Sequence, residues 1–208
     1  MLKGTRILFG NDAVEYRNIL KIFRTIVHQN IPDIQELIVP AIWESETFLN
    51  KIQGETKDQM WTFKDKGNRD CCLIPEVTGI VQQMYNEKWS KELPKPIWLF
   101  YEARCYRYEK PQRGRYREFT QFGLEVLGDI TPEISEIAIN TLDQCVKATV
   151  KKYEKKIGVK RGLGYYIEDG IEYECPSLGT QKQIAGGGRY KEGFGWAIGV
   201  DRIIESNK

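Results

Sequence analysis

The chain has 208 residues, 41% hydrophobic and 29% charged, which fits a globular protein and excludes disordered, collagen-like and disulfide-scaffold classes. Its 31 basic and 29 acidic residues leave a net charge of +2, too balanced for a protein that coats nucleic acid generically. No apolar run reaches the roughly 18–20 residues that a membrane span needs, and residues 1–6 lack a signal-peptide pattern. We therefore expect a single domain over residues 1–208, located in the cytoplasm and without a membrane partner.

Cysteine and histidine usage limits the chemistry available to the chain. The five cysteines are Cys71, Cys72, Cys105, Cys145 and Cys175. They form no C-x-x-C pair and have no histidine at zinc-ligand spacing, so we predict reduced, buried thiols and no metal site. The single histidine, His28, has no serine or cysteine partner nearby, which excludes most triad chemistry. Any catalysis must therefore rest on charge and positioning.

The first half of the chain predicts one long helix, a strand and a hairpin. Apolar residues recur with helical period over residues 12–30, and Asp12 with Glu15 predicts a capping box. A strand is predicted over 36–40, followed by a mostly irregular connection through Gly54. Residues 59–64 and 69–74 predict the two strands of a hairpin.

The second half alternates between helix and strand patterns. A short helix is predicted over 78–87, two strands over 97–109 and 116–126, and a helix from Pro132 to about residue 153. Lysines between 151 and 160 are interpreted as a solvated helix face, with contact to an RNA backbone as the alternative. The glycine-rich tail predicts strands at 163–167, 171–175, 183–185 and 194–198, then a short helix after Gly199. Strands joined mostly by hairpins, with helices around them, predict an α+β fold with an antiparallel sheet flanked by helices.

The segment from residue 107 to 125, RYEKPQRGRYREFTQFGLE, carries the most informative pattern. If two strands flank its loop, Arg107, Gln121 and Glu125 project from one face of the sheet, because side chains alternate along a strand. The loop between them adds guanidinium groups suited to phosphate, from Arg113, Arg115 and Arg117. Periodicity alone favours a solvated basic hairpin over a binding site.

This segment resembles motif 2 of the class II aminoacyl-tRNA synthetases, and in detail that of the histidyl-tRNA synthetases. The likeness continues in the family's order along the chain. Residues 3–40 resemble the family's start and motif 1, and LIPEVT at 73–78 its amino-acid loop. RGLGYY at 161–166 and GGRY at 187–190 resemble two histidine-specific motifs, and 193–202 resembles motif 3. Six matches in one order are not expected by chance, and they imply a class II aminoacyl-tRNA synthetase-like catalytic core.

The resemblance implies a role for each candidate side chain. Histidine would be bound by Glu76, Thr78 and Gln121 at its α-ammonium group and by Glu125, Tyr165, Tyr166 and Tyr190 around its imidazole. ATP, accompanied by Mg²⁺, would be bound by Arg107, Glu109, Arg115, Phe119 and Arg202. The catalytic residues would be Arg107 and Arg161, which neutralise charge as the histidine carboxylate attacks the α-phosphorus. Strand alternation predicts that only one of the neighbours Tyr165 and Tyr166 faces the pocket.

The resemblance also implies partners. Contacts with a tRNA acceptor stem are expected at Gln112, Arg113 and Arg117. The region of motif 1 implies a homodimer, whose interface would explain the large apolar residues Trp43 and Phe48; local core packing is the alternative.

The chain also departs from the family's pattern. Ile74, Val77 and Gly164 stand where the family usually has an arginine, a glycine and an acidic residue. We expect the family's insertion domain and its anticodon-binding domain to be absent. These departures spare most ligand contacts and reduce the area available to RNA.

Three functions remain open at this point. The first is a minimal histidine–tRNA ligase core that makes histidyl-adenylate and pyrophosphate and then charges tRNA. The second is an enzyme that makes the adenylate and passes histidine to another acceptor. The third is a non-catalytic histidine sensor or regulatory subunit, which the arginines at 107, 115, 161 and 202 disfavour because a sensor has no need of ligands for ATP phosphates.

Overall fold

A computed structural model describes residues 2–49, 51, 55–160, 164–168 and 170–208. Its helices are α1 (Asn11–Asn30), α2 (Glu46–Leu49), α3 (Glu55–Asp58), α4 (Thr78–Met84), α5 (Ser90–Glu92), α6 (Pro132–Thr149) and α7 (Val200–Ser206). Its strands are β1 (Gln35–Leu37), β2 (Ile42–Glu44), β3 (Trp61–Lys64), β4 (Asp70–Leu73), β5 (Ile97–Tyr106), β6 (Glu118–Leu127), β7 (Glu154–Val159), β8 (Gly170–Glu174), β9 (Gln183–Tyr190) and β10 (Gly193–Gly199). In the described part of the chain, no helix is both long and apolar enough to cross a bilayer.

The main sheet contains seven of the described strands in the order β1-β5-β6-β10-β9-β8-β7. Neighbouring strands are antiparallel except β1, which runs parallel to β5. The α+β class is confirmed, and the prediction of an antiparallel sheet is wrong for this one pair. The segment from β2 to α4 lies between β1 and β5 in the sequence. Parallel pairing requires such a long crossover connection, because the chain must return to the end of the sheet at which the first strand began.

The two faces of the main sheet have different neighbours. On one face, Phe100, Phe122 and Trp196 pack with α1, α6 and α7 in the larger core. Since residues directly opposite each other in β5 and β6 share a face, the odd-numbered residues of both strands lie on the other side. There Tyr101 and Cys105 pack in the core that includes α4. Gln121 and Glu125, the candidate site residues on β6, therefore lie on the face opposite α1 and α6.

The long helices agree with the sequence pattern, and one predicted cap does not. The buried residues of α1 recur with helical period: Tyr16, Ile19, Leu20, Phe23, Ile26 and Val27. The predicted capping box is wrong, because Gly10 occupies the N-cap and no side chain caps this end. At α6, Thr131 accepts a 3.3 Å hydrogen bond from the Ile134 amide, and Pro132 begins the helix as predicted.

A second sheet of three described strands, in the order β2-β4-β3, contains the predicted hairpin as β3 and β4. Strand β2 lies where an irregular connection was predicted. The inner face of this sheet packs Cys72 against Phe48 and Ile80. Phe48 is fully buried inside its own chain, and Trp43 donates from Nε1 to Oε1 of Gln83 at 3.0 Å. Local core packing therefore explains Phe48, and the interface interpretation of this residue is wrong.

The lysine-rich stretch after α6 forms an edge strand. The helix ends at Thr149, and β7 pairs with β8 at the edge of the main sheet. Lys155 and Lys156 form ion pairs with Asp143 at 2.6 Å and Glu174 at 2.7 Å. The prediction of a solvated helix face is wrong, since pairing with a neighbouring strand overrides the local pattern.

The remaining strands of the second half lie close to their predicted positions. Strand β9 extends through the glycine run to Tyr190, well beyond the predicted end at residue 185. The strand predicted at 163–167 does not form in its described part, where residues 164 and 165 make a turn and Tyr166 makes a single bridge to Tyr190. The short helix predicted after Gly199 is confirmed as α7.

Candidate active site

A cavity of about 320 Å³ opens on the face of the main sheet that carries the odd-numbered residues of β5 and β6. The predicted site residues that line it are Glu76, Thr78, Arg107, Glu109, Arg115, Phe119, Gln121, Tyr165, Tyr166 and Arg202. Those that do not line it are Glu125, Tyr190, Gln112, Arg113 and Arg117. Arg161 lies outside the described residues. The fold thus brings most of the predicted histidine-binding residues and all of the predicted ATP-binding residues to one cavity.

Glycines in the central strands make room for two large side chains of the site. Gly195 lies opposite Glu125 in the sheet, and a Cβ at this glycine would lie 1.7 Å from Oε2 of Glu125. A Cβ at Gly123 would lie 2.2 Å from the ring of Tyr101. Real Cβ contacts are not this short, so both positions require glycine.

The acidic end of the cavity is built around Glu76, just before α4. Oε1 of Glu76 accepts a 2.8 Å hydrogen bond from the Gly79 amide, and Oε2 accepts a 3.4 Å hydrogen bond from the Tyr165 hydroxyl. Burial raises the pKa of Glu76, whereas the Gly79 hydrogen bond and the charge of Arg107 act to lower it. A buried carboxylate that faces a cavity suits an ammonium group as a ligand, because the ion pair compensates for desolvation.

Glu125 lies behind the wall of the cavity. Its Oε1 accepts a 2.6 Å hydrogen bond from the Thr78 hydroxyl, and its Oε2 accepts a 2.7 Å hydrogen bond from the Tyr190 hydroxyl. Burial raises the pKa of Glu125 to about 8, with hydrogen bonds from Thr78 and Tyr190 opposing the shift and the charge of Glu76 adding to it. Tyr190, predicted to close the pocket, instead holds Glu125 in place.

Both Tyr165 and Tyr166 line the cavity, with ring centroids 4.7 Å apart. The prediction that only one of them faces the pocket is wrong. It relied on strand alternation, and the two residues lie at a turn followed by a single bridge, where alternation does not apply.

Three arginines line the cavity, and the first of them is Arg107, which directly follows β5. Its Nε donates a 3.0 Å hydrogen bond to the carbonyl of Pro75, and its guanidinium carbon lies 5.2 Å from the ring centroid of Phe119. The two contacts fix the direction of the guanidinium group. The ring of Phe119 thereby gains a cationic neighbour within the range of cation–π attraction.

Two further arginines line the cavity. Arg115 donates to Oε2 of Glu109 in an ion pair, and Arg202 donates to the carbonyl groups of Gly114 and Gln181. The Nε of Arg202 is buried without a hydrogen-bond partner among the described residues. Burial and the nearby charge of Arg115 lower the pKa of Arg202 below its ordinary value. An anionic ligand in the cavity would relieve both effects, since buried donors require acceptors.

Gln121 is oriented from behind by a thiol. The Sγ of Cys105 donates to Oε1 of Gln121 at 3.4 Å, and burial raises the pKa of this thiol, which keeps it protonated. With Oε1 engaged, the NH₂ group of Gln121 remains to meet a ligand. Oε1 keeps a second lone pair for the predicted α-ammonium group, and the NH₂ group suits a substrate oxygen.

The three predicted RNA contacts lie on the loop outside the cavity. Arg113 donates to the carbonyl of Glu205 at 2.9 Å, and the guanidinium of Arg117 lies 3.7 Å from the ring centroid of Tyr108. Gln112 is exposed and pairs with Arg115 in a small bridge. All three predicted residues are thus placed on one loop at the mouth of the site.

Several lining residues were not predicted: Tyr101, Lys160, Glu172, Gln181 and Gln183. Tyr101 could have been found, because alternation along β5 puts it on the same face as Arg107. The other four come from the end of β7, from β8 and from the start of β9, and no periodic signal in the sequence connects these segments to the motif.

Residues 61–190 match the family described as tRNA synthetase class II core domain (G, H, P, S and T). The chain belongs to this class II core family. The predicted resemblance is therefore confirmed, and the cavity lies within a fold that the family shares.

Curated relatives of this class II core are named histidine–tRNA ligase. The protein from Methanosarcina acetivorans is 33% identical over 187 residues, which cover 88% of this chain and 45% of the relative. The protein from Archaeoglobus fulgidus is 35% identical over 311 aligned positions, which cover 98% of this chain and 75% of the relative. The chain spans about half the length of most of the first curated relatives that it matches.

A solved structure supports the same fold for the class II core. The apo histidyl-tRNA synthetase of S. aureus superposes with a TM-score of 0.82, covering 99% of this chain and 69% of that one at 22% sequence identity. At this identity the likeness establishes the fold, and the chemistry has to be argued from the cavity.

Proposed function

We propose that this chain activates histidine with ATP and is the catalytic core of a histidine–tRNA ligase. A carboxylate oxygen of histidine attacks the α-phosphorus of ATP, a new P–O bond forms histidyl-adenylate, and the bond to the β-phosphate breaks to release pyrophosphate. The observation that carries the proposal is a single cavity lined both by the buried carboxylate of Glu76 and by the guanidinium groups of Arg107, Arg115 and Arg202.

The histidine end can distinguish its substrate by polar groups. Glu76 and Thr78 offer acceptors to the α-ammonium group, and the NH₂ group of Gln121 suits an oxygen of the carboxylate. Tyr165 and Tyr166 enclose the imidazole side, with Glu125 and Tyr190 behind them. Polar groups that a wrong amino acid leaves unpaired penalise its binding, which is the strongest source of discrimination in such pockets.

The ATP end supplies positive charge where the reaction develops negative charge. Arg107 contacts the α-phosphate, Arg115 and Arg202 contact the outer phosphates, and Phe119 stacks on adenine. Glu109 holds Arg115 through Oε2, which leaves Oε1 for adenine. Preorganised guanidinium groups stabilise the transition state without the reorganisation that water would need. Arg161, outside the described residues, is assigned to the reaction centre by the family motif alone.

Mg²⁺ is the metal that accompanies ATP in the proposal. It would neutralise charge on the phosphates. Among the described residues, no three histidine, cysteine, aspartate or glutamate side chains are grouped so that they could hold a metal ion. Mg²⁺ usually keeps several waters and binds through substrate phosphates and one or two carboxylates. Glu172 lines the cavity and carries a carboxylate, the ligand type that Mg²⁺ prefers.

The final acceptor in the proposal is the acceptor stem of a tRNA for histidine, approached through the loop with Gln112, Arg113 and Arg117. An alternative acceptor for the histidyl group and a non-catalytic histidine-binding role are the competing functions. The Nε of Arg202, which has no hydrogen-bond partner in the part of the chain that the structure describes, favours an anion-binding enzyme over the non-catalytic role.

Histidine-dependent exchange of labelled pyrophosphate into ATP is the test of the proposal. Exchange with histidine, and none with the other amino acids, is the expected result; binding of histidine without exchange would overturn the enzymatic function. Aminoacylation of the histidine tRNA then decides the acceptor. Exchange without charging would favour the alternative acceptor.

The proposal includes a homodimer in the cytoplasm. Strand β1 is an edge strand, and the apolar side chains of Ile38 and Ile42 just beyond it are exposed. The five cysteines are free and buried, as expected in a reducing compartment. Light scattering at micromolar concentration tests the assembly, and the mass of a monomer would contradict it.

A further inference from the structure

The segment before α1 lies against the loop at the mouth of the cavity. The carbonyl of Gly4 accepts a 2.7 Å hydrogen bond from the amide of Arg117. A Cβ at Gly4 would lie 2.8 Å from the side chain of Arg117 and 2.9 Å from that of Pro111, and the φ of Gly4 is +86°. Glycine is therefore required for this close approach. The N-terminal segment is thus fixed to the 110–117 loop.

Arg6 joins this segment to α7. Its Nη2 and Nε donate to Oδ1 of Asp201 at 2.6 and 3.1 Å, and its Nη1 donates to Oε1 of Glu205 at 3.2 Å. The three side chains are 14%, 7% and 12% exposed. Asp201 and Glu205 are four residues apart on one helix face, where like charges repel. The guanidinium group between them removes that repulsion and fixes the rotation of α7 about its axis.

The carboxylate of Asp201 extends this network to β6. Its Oδ2 accepts a 2.6 Å hydrogen bond from the backbone amide of Thr120. The next residue of the helix is Arg202, whose side chain lines the cavity. Asp201 also lines the cavity, so the ion pair that Arg6 makes with it lies next to Arg202 on the same helix.

The carboxylate of Glu205 extends the network to the loop. Its Oε1 accepts a 3.3 Å hydrogen bond from the Tyr116 hydroxyl, and the guanidinium of Arg6 lies 4.6 Å from the ring centroid of Tyr116. Tyr116 is adjacent to Arg115, the other arginine assigned to the outer phosphates. One side chain outside the cavity thus contacts both elements that carry these arginines.

We propose that Arg6 is a positioning residue for nucleotide binding: it does not line the cavity, and it holds Arg202 and Arg115 in the orientation that the phosphates of ATP require. The inference rests on the proposed function for its ligand. Among the described residues, the hydrogen bonds of Arg6 go to Asp201 and Glu205 and its ring contact is with Tyr116, all near the arginines assigned to ATP. The substitution should therefore affect ATP and leave histidine unaffected.

Arg6→Gln and Arg6→Lys, each in the full chain, test the proposal by pyrophosphate exchange. The KM for ATP should rise roughly 10- to 100-fold in Arg6→Gln, the scale of a misplaced binding group, with the KM for histidine unchanged. Arg6→Lys keeps the positive charge and loses the planar guanidinium group, so its KM for ATP should lie between those of the parent and Arg6→Gln. Arg17→Gln is the matched control, because Arg17 is exposed and its ion pair with Glu102 is long, at 3.9 Å.

A second variant separates positioning from a merely structural role. Arg6→Gln combined with Glu205→Gln removes the repulsion between the two carboxylates, and it should restore the melting temperature without restoring the KM for ATP. Recovery of both, or an equal rise in the KM for histidine, would overturn the proposal.

A third measurement does not depend on catalysis. Hydrogen exchange without ligands should accelerate at the amides of Arg117 and Thr120 in Arg6→Gln. If the parent protein catalyses no exchange of pyrophosphate, calorimetric affinity for ATP replaces KM. These measurements distinguish failure of the proposed function from failure of the inference. Unchanged ATP affinity together with unchanged amide protection in Arg6→Gln would overturn the inference.

Discussion

The hydroxyl of Tyr190 donates a 2.7 Å hydrogen bond to Oε2 of Glu125, and both side chains are fully buried. The thiol of Cys105 makes a comparable contact with Gln121. The polar side chains of the histidine end are therefore held from behind by residues that do not touch the cavity, which is how a pocket keeps its donors and acceptors in fixed directions.

The raised pKa of Glu125 predicts a dependence of stability on pH. Burial moves this pKa from 4.5 to about 8. Between these values the folded chain keeps a proton that the unfolded chain releases. The contribution to stability is therefore full below pH 4.5, and it is lost as the pH rises to about 8, on the order of 1 kcal/mol per pH unit. Glu125→Gln should remove this dependence of the free energy of unfolding on pH, measured by urea unfolding at pH 5.5, 7 and 8.5.

Glu44→Gln, at an exposed carboxylate, is the control. If the free energy of unfolding of Glu125→Gln changes with pH as steeply as that of the parent, the prediction is contradicted.

Tyr190→Phe should weaken the support of Glu125. The change removes one donor to a buried carboxyl group and leaves the ring in place, so a destabilisation of about 1–3 kcal/mol is expected. Histidine affinity should fall, and ATP affinity should stay the same. Calorimetric titration of both ligands measures the difference. Tyr108→Phe, at an exposed tyrosine, is the control, and equal affinities of Tyr190→Phe and the parent for histidine would refute the supporting role.

Gly195→Ala should disrupt the histidine end. The added Cβ would lie 1.7 Å from Oε2 of Glu125, so the carboxylate or the strand must move, at a cost of about 1–3 kcal/mol. Loss of histidine binding with a lower melting temperature is expected. Gly67→Ala, whose Cβ would meet side-chain atoms of Asp65 no closer than 3.3 Å, should have little effect. Normal histidine affinity in Gly195→Ala would mean that Glu125 has a different position in solution.

Arg107→Ala should reduce pyrophosphate exchange about 100- to 1,000-fold, the scale of removing one preorganised charge-stabilising donor. Arg107→Lys should recover little of the exchange activity, because an ammonium group cannot replace the paired donors of a planar guanidinium group. Arg104→Ala is the control from the same strand, since Arg104 is exposed and pairs with Glu118 at 2.6 Å. Similar losses in Arg107→Ala and Arg104→Ala would point to general destabilisation.

Cys105→Val should raise the KM for histidine. Valine keeps the shape of the buried side chain and removes the S–H donor to Gln121, a change of about 0.5–1.5 kcal/mol, or roughly 2- to 12-fold. Cys105→Ser keeps a donor and should stay near the parent. Cys145→Val, in the core on the other face of the sheet, controls for loss of a thiol. Identical KM values for all variants would show that the thiol does not orient the amide.

Much of the site could be predicted, because alternation along β5 and β6 places Arg107 and Gln121 on one face and the family motif adds the other segments. The same rule failed for Tyr165 and Tyr166, since it assumed a strand where the chain makes a turn. The sequence contains no signal for what lies behind a side chain, so the contacts of Cys105 and Arg6 were not predicted.

The fold shows a similar division. Helical period located α1 and α6, and hairpin patterns located β3, β4, β5 and β6. Parallel pairing of β1 and the edge strand β7 depend on partners far away in sequence, and local patterns do not encode such partners. The apolar Phe48 illustrates the limit, since burial inside the chain and burial in an interface leave the same sequence signature.

The order of strands in the main sheet has a consequence for how the site forms. Strand β6, which carries Gln121 and Glu125, pairs with β10, which the chain adds only after α6, β7, β8 and β9. The first residues of the chain also meet the last helix through Arg6 and Asp201. When residues far apart in sequence pair, the chain loses conformational entropy before the new contacts stabilise the fold. Folding is therefore slower. During synthesis, the amino-terminal half can form helices and hairpins early. The cavity, by contrast, is completed only when α7 has left the ribosome.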